Sequence, residues 1–501
     1  MITVLLLLGA ALRGVVLAAY HPALIFPDSV RYLQYAHNFT HGHWTVDDQR
    51  QSGYSILLVP FQDELWLVAL VQHLAGLATA ALVYAVLVRL GAPRWLAALA
   101  TIPVLFDPLQ LVLEQYVLTD IWCVLLLAGA LTILVWQREQ ATWRAAAGCG
   151  LLLGLAVAFR DQELIMIVPA AIYLVVATRS WRRLAALAVS FAIPVAAYLG
   201  WFDASHGQWG FTTFSGAFLY GRVADFADCT GLALPAYEKP LCPTQPAAQR
   251  VADFYTWNPA SPQWTFTVPP GKSRDKVVAD FSLRILRHQP VAYAEAVGRD
   301  LLYGFSPVRG AGPEHYSPAY LKFQTGILPD PQAYTSIAQL GDTPPRVQPQ
   351  LAAFLHDYGR WFYIPGPLLA AGLITGLAGA CFLRRRNGPP SLLFSLATIA
   401  VLLPPALFAT FDWRYQLPQL TLIPVAAVLG ITTLTRPEDQ RLYLASYACR
   451  DPHTLAFGQA QVLPSAASFT TTVSEGTLCP ITFPAPSGVV TSAPTFGASL
   501  R

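Results

Sequence analysis

Apolar residues in this chain run in blocks of about 17 to 25, each long enough to cross a bilayer and each separated by short breaks that carry arginine. The pattern predicts membrane-spanning helices near residues 2–25, 65–88, 95–113, 117–136, 145–159, 163–178, 184–202, 361–383, 391–410 and 416–434. The expected architecture is an all-α polytopic membrane protein with about ten transmembrane helices. The first block has no basic stretch at its start and no small-x-small cleavage site after it, so it reads as a span and not as a signal peptide. Residues 203–360 are polar and proline-rich and hold all four lysines, Lys239, Lys272, Lys276 and Lys322. A connection of that length is expected to fold as a small loop domain. After Arg441 the chain becomes rich in Ser, Thr, Ala and Pro with weak periodicity, and a largely disordered tail is expected. Four segments follow: 1–202, 203–360, 361–435 and 436–501.

Arginine placement gives an orientation. Arg89, Arg94, Arg138, Arg144, Arg179, Arg182, Arg183, Arg384, Arg385, Arg386, Arg436 and Arg441 fall on one side of the predicted spans, whereas the other side's short connections hold Arg31, Arg50, Arg160 and Arg414. The positive-inside bias puts the first group and both chain ends in the cytoplasm, and residues 203–360 outside. In that compartment Cys229 and Cys242, with twelve residues between them, are expected to form a disulfide worth about 3 kcal/mol by loop entropy. No bridge is expected for Cys123, Cys149, Cys381, Cys449 and Cys479, which fall in spans or the tail.

Composition agrees: 54% of the 501 residues are apolar or aromatic and 12% are charged, too little charge to cover a soluble protein of this size. A net charge of +3 is spread over span ends without a basic, aromatic-rich patch, which argues against nucleic acid as a partner. The 28 arginines against four lysines suggest a GC-rich, bacterial genome and hence the bacterial plasma membrane.

The candidate chemistry lies in the outside connections. Asp28, in PDSVRY, follows the first span, and a carboxylate in that partly dry interface is expected to have a raised pKa suited to a general base. The ordinary structural reading is a helix N-cap. Glu114 and Asp120, in LEQYVLTDIW, lie at the junction of the third and fourth spans; Asp120 also reads as a cap together with Thr119. Acids at that depth usually face a wet cavity. Arg160, Asp161 and Glu163 form a charged turn, and Arg414, in DWRYQLP, is a planar permanent cation suited to a phosphate oxygen or to snorkelling. Arg13, near the middle of the first span, either calls for one of these acids as a partner or marks a misplaced span boundary. Asp47 and Asp48 read as a solvated pair. His37 and His41 have helical ligand spacing without an obvious third ligand, so no metal site is assigned and a divalent metal is not favoured.

The patterns PDSVRYLQYA after the first span, RQSGYSILLVPF leading into the second, LTD before the fourth and RYQLP before the last resemble those of the GT-C superfamily of membrane glycosyltransferases, in the branch of protein O-mannosyltransferases and the lipid A aminoarabinose transferase. The likeness runs over about residues 1–435, and the cysteine-bearing outside region is similar to that of actinobacterial members. The resemblance implies a GT-C-like fold and an inverting transferase that moves a hexosyl or pentosyl unit from a polyprenyl-phosphate carrier to a protein, lipid or glycan acceptor on the extracytoplasmic face. It implies Asp28 as the base, Asp120 or Glu114 as the second acid, and Arg414, Arg160 and Arg50 as holders of the carrier phosphate. Many members carry a second acid directly after the first-loop Asp, where this chain has Ser29, which turns the implication away from a metal-dependent mechanism. The alternative is a transporter or flippase for a lipid-linked saccharide.

Overall fold

The computed structural model describes residues 1–61, 64–137, 141–310, 318–435, 467–472 and 478–483. Each of the ten apolar segments is helical. Six helices are long and apolar enough to cross a membrane: Ile2–Ala19, Leu65–Arg89, Asp161–Thr178, Trp181–His206, Gly388–Phe408 and Trp413–Thr435. Two bent pairs, Arg94–Phe106 with Pro108–Gln115 and Pro349–Trp361 with Gly366–Ala380, bring the number to eight if each counts as one span. Asp120–Val135 and Trp143–Phe159 are shorter apolar helices. The protein is therefore an all-α, multi-pass membrane protein.

The straight span expected over 95–113 is instead bent by 49°. Proline disfavours helical geometry in the residue before it and lacks the N–H that would continue the ladder. Asp107, directly before Pro108, is extended, and its carboxylate accepts from the Leu109 N–H at 2.9 Å. The same carboxylate accepts from Arg309 at 2.6 and 2.9 Å and from the Ile364 N–H at 2.9 Å. One acid thus fastens the first bend to the junction of the second bent pair.

The helix ending at Gln115 leaves C-terminal carbonyls without partners inside the membrane part. Gln72, from the Leu65–Arg89 helix, donates to the Glu114 and Tyr116 carbonyls at 2.9 and 2.7 Å. The Glu114 side chain accepts from Arg13 Nη2 at 2.6 Å and from Gln110 Nε2 at 2.8 Å, and lies 2.6 Å from His73 Nδ1. Arg13 spends further donors on the Val104 and Leu105 carbonyls, both at 3.0 Å. Gly76 makes room for this cluster, since a Cβ there would fall 1.8 Å from Glu114 Oε1. The partner that Arg13 calls for is Glu114.

The segment after the first helix is fixed by backbone pairing. Tyr20–His21 pairs antiparallel with Arg346–Val347, and Leu24 exchanges hydrogen bonds with the Gln115 carbonyl and the Val117 N–H at 2.9 and 3.1 Å. The 203–360 segment divides between two cores. Tyr220, Val223, Leu241, Tyr255, Val278 and Phe281 form a small core of their own beside the Cys229–Cys242 disulfide, whereas Phe323, Ile337, Ala352 and Leu355 join the core built on the first helix.

Neighbouring helix ends also share their basic residues: Arg89 donates to the Trp136 carbonyl at 3.0 Å and Arg385 to the Thr433 carbonyl at 2.6 Å. Arg160 and Arg414 begin helices whose far ends are Thr178 and Thr435. Residues 437–501 form a separate unit in which Ala467–Thr472 and Leu478–Phe483 pair antiparallel. The remainder of the expected tail, with Arg436, Arg441 and Cys449, lies outside the described residues, as does Arg138.

Removing one member of a buried ion pair leaves an uncompensated charge and typically costs about 3–5 kcal/mol. Arg13→Met is expected to lower the thermal unfolding temperature of the detergent-solubilised protein and the yield of monodisperse material. An unchanged unfolding temperature would mean that Glu114 does not depend on Arg13.

Candidate active site

The turn that fixes Leu24 also delivers Asp28. Pro27 opens the Pro27–Thr40 helix, and Ser29 Oγ accepts from the Phe26 N–H at 2.9 Å while donating to the Val117 carbonyl at 2.8 Å. Ser29, not Asp28, therefore serves the helix end. Asp28 is 6% exposed and faces a cavity of about 500 Å³. Arg50 donates to Asp28 Oδ1 from Nη2 at 2.7 Å and from Nε at 3.0 Å, and Arg414 Nη1 donates to Oδ2 at 3.0 Å. Both oxygens of one carboxylate are thus held by guanidiniums from opposite ends of the chain.

The expectation of a raised Asp28 pKa is corrected by this arrangement. Burial, the largest single influence, pushes the carboxyl up, but the charges and hydrogen bonds of Arg50 and Arg414 together outweigh it and hold the group well below the usual carboxylate range. Asp28 is ionised at neutral pH.

Asp120 is the first residue of the Asp120–Val135 helix, and its Oδ1 accepts from Arg160 Nη1 at 2.6 Å. The Arg160 and Arg414 guanidiniums flank the Tyr415 ring, at 5.2 and 5.5 Å from its centroid. Asp28, Arg50, Arg160 and Arg414 all line the cavity, and Asp120 joins them through Arg160. Neither Asp120 nor Glu114 lines it; the Glu114 carboxylate is committed to Arg13, His73 and Gln110, none of which lines it, whereas Asp120 holds the lining residue Arg160. Spacing alone leaves Glu114 and Asp120 equivalent, whereas the geometry separates them.

The expectation for Asp47 and Asp48 changes as well. Asp47 is buried and accepts from Arg31, which also pairs with Asp48, so these acids anchor the loop that carries Arg50 and are not a solvated pair. The His37 and His41 rings lie 4.2 Å apart, and among the described residues no three His, Cys, Asp or Glu side chains are arranged to hold a metal ion.

The loop segment supplies a wall that sequence reasoning did not assign. The helices Ser215–Ala224 and Ala252–Trp257 close over the cavity with Phe218, Arg222, Asp253, Thr256 and Trp257. Gly221 permits their contact, since a Cβ there would sit 1.9 Å from Thr256 Oγ1. The Arg50 guanidinium lies 5.0 Å from the Trp257 ring centroid and 5.6 Å from that of Phe218, within cation–π range. Arg222 is fully buried, pairs with Asp300 at 2.7 Å and leaves Nε and Nη2 without a hydrogen-bond partner. The available signal was a lone arginine in the apolar run GAFLYGRVA. A further side of the cavity is apolar, with Leu164, Ile165, Pro404, Leu407 and Phe408. Four arginines, a buried carboxylate and an apolar wall suit a ligand with an anionic head and a hydrocarbon tail.

Comparison with known proteins agrees with this chemistry over part of the chain. The family model of dolichyl-phosphate-mannose-protein mannosyltransferases matches residues 55–201. The match bears out, over those residues, the resemblance to GT-C glycosyltransferases, and it supports a glycosyltransferase activity. No curated protein sequence matches the chain. Among solved structures, the protein O-mannosyltransferase Pmt1–Pmt2 complex of S. cerevisiae, bound to its sugar donor, is 14% identical with a TM-score of 0.33, the alignment covering 46% of this chain and 37% of that one. The oligosaccharyltransferase of Archaeoglobus fulgidus is 13% identical with a TM-score of 0.44 over 90% of this chain and 52% of that one. ArnT of Cupriavidus metallidurans, solved with undecaprenyl phosphate, is 16% identical with a TM-score of 0.35 over 91% and 80%. The chain thus spans about a third to a half of the length of the first two.

Folding stabilises the ionised form of Asp28, so its contribution is complete above the unfolded carboxyl value of about 3.9 and is lost as pH falls towards the lower folded value. The difference in unfolding temperature between wild type and Asp28→Asn is expected to be constant from pH 5 to 8 and to shrink below pH 4. A difference that instead grew on acidification would contradict the paired geometry.

Proposed function

We propose that the protein is an inverting glycosyltransferase that moves a sugar from a polyprenyl-phosphate carrier to an acceptor on the extracytoplasmic face of a bacterial plasma membrane. The observation that carries this reading is the Asp28 carboxylate shared by Arg50 and Arg414 in a cavity with one apolar wall. The family match over residues 55–201 supports the reaction class, and the arginine distribution between span ends supports the orientation.

In this reading the carrier's hydrocarbon lies along Pro404, Leu407 and Phe408, and its phosphate takes up donors of Arg414 and Arg50, with Arg160 beside them. Planar guanidiniums bind phosphate oxygens in pairs and stabilise the charge that grows on the leaving group. Glycosyl transfer passes through an oxocarbenium-like state. An ionised Asp28 is a weak proton acceptor, and its negative charge is suited to stabilising the positive charge on the sugar ring. Asp120 fixes Arg160 through its 2.6 Å bond. The capping helices exclude water from the reacting atoms, which strengthens each of these interactions.

The flippase reading draws on one observation, the charged Arg13–Glu114–His73 cluster within the spans. Arg13 and Glu114 are only 2% and 0% exposed, with Gly76 packed against them, so the cluster is sealed and offers no polar path.

Purified wild type in nanodiscs is expected to release free carrier from at least one member of a panel of polyprenyl-phosphate sugars. Asp28→Asn is expected to lose about 100-fold or more of that rate, in line with removal of a preorganised charge, while still inserting and folding. Movement of the intact lipid across the bilayer without carrier release would favour the flippase.

A further inference from the structure

The transfer reading leaves the acceptor's proton without a good destination, because both Asp28 oxygens are taken by Arg50 and Arg414, which hold its pKa low and make it a weak base. Four acids line the cavity, and three of them lie against an arginine. Asp28 accepts from Arg50 and Arg414; Asp412 accepts from the Arg414 N–H at 3.2 Å and lies 3.6 Å from Arg414 Nε; Asp161 sits beside its neighbour Arg160. The Asp253 side chain makes no hydrogen bond or ion pair with the described residues. It lies on the Ala252–Trp257 helix with Thr256 and Trp257, three and four residues on, and all three line the cavity. That spacing puts them on one helical face. The face comes from the 203–360 segment, whereas Arg50, Arg160 and Arg414 come from connections outside it.

We propose that Asp253 is the general base of the transfer. Its carboxylate takes the proton of the acceptor hydroxyl as that oxygen bonds to the anomeric carbon, the bond from this carbon to the phosphate oxygen breaks, and its electron pair leaves on the carrier phosphate. The inference rests on the glycosyl-transfer reading above. Inversion requires the nucleophile and the leaving phosphate on opposite sides of the sugar, so the base must be a group other than those that hold the phosphate, and Asp253 shares the cavity with Arg50, Arg160 and Arg414 without pairing with any of them.

Burial raises the Asp253 carboxyl to about 7; Asp412 and Asp28 add to the rise and Arg414 opposes it. Arg50, Arg160, Arg222, Asp161, Tyr32 and Tyr415 are the other titratable or charged groups around the cavity. A base with a value near 7 is deprotonated often enough to act at neutral pH and is a far better acceptor than Asp28. Gly221 packs closely against the Asp253 helix, since a Cβ there would sit 1.9 Å from Thr256 Oγ1 and 3.2 Å from the Ala252 carbonyl, so a side chain would have to displace the Thr256 hydroxyl.

The test uses the full chain in nanodiscs with polyprenyl-phosphate mannose as donor and a threonine-containing peptide or an alkyl mannoside as acceptor. The readouts are carrier release from pH 5 to 9 and the affinity for free polyprenyl phosphate. Wild-type kcat is expected to rise with pH through about 7 and then level. Asp253→Asn is expected to lower kcat about 100- to 1000-fold, the range of general-base catalysis, with polyprenyl-phosphate affinity within about twofold of wild type, and Asp253→Glu is expected to recover part of the rate. An Asp253→Asn rate within threefold of wild type, or a parallel loss of phosphate affinity, overturns the assignment and leaves the transfer reading intact. Should the Asn variant fail to insert, a wild-type kcat that is flat across pH 5 to 8 overturns it equally. No release by wild type from this donor or from any other member of the polyprenyl-phosphate sugar panel overturns the transfer reading and this inference with it.

Discussion

The structure depends on one carboxylate meeting two guanidiniums. Asp28 and Arg414 are 386 positions apart, and their 3.0 Å bond joins the first loop to the last. Burying a charge is costly unless it is paired and its hydrogen-bonding capacity is used. Asp28 meets that condition with three bonds from Arg50 and Arg414, so the loops that carry these residues must close together. The cavity is the space left between that clamp and the capping helices.

The clamp stands on a second buried cluster. Arg13, Glu114, His73 and Gln110 lock the first helix to the bent pair, and Gln72 satisfies the carbonyls freed where that pair ends. The chain then runs through Tyr116 and Val117, whose backbone groups hold Leu24 and Ser29 on either side of the turn into the Asp28 helix. A polar network deep in the membrane part thus sets the position of a charge near its surface. The same chain continues into Asp120, which holds Arg160, so Asp28 and Arg160 face one cavity although they come from separate loops.

The helical segments were legible because an apolar run long enough to span a bilayer has few other ways to fold. The bend at Asp107–Pro108 was less legible, since its cause lies in one proline and its stability in Arg309, far along the chain. Candidate site residues were found through their placement between spans, and that placement could not separate Glu114 from Asp120. Six residues apart, they differ in what surrounds them: Glu114 meets Arg13 and His73, while Asp120 meets Arg160. The cap was the least legible part. Arg222, Asp253 and Trp257 sit in short amphipathic or irregular segments whose docking is decided by tertiary contacts such as Gly221 against Thr256. The lowered pKa of Asp28 was equally hidden, because it comes from partners that sequence distance conceals.

Recognition of a carrier phosphate by this arginine-lined cavity is the claim on which the functional account stands. Its most direct test is the affinity of a polyprenyl phosphate and of the matching polyprenyl alcohol for wild type and Arg414→Gln in nanodiscs. A charged hydrogen bond contributes about 1.5–3 kcal/mol, so wild type is expected to prefer the phosphate by roughly 10- to 100-fold and Arg414→Gln to lose most of that preference. Equal affinity of wild type for phosphate and alcohol would contradict the account.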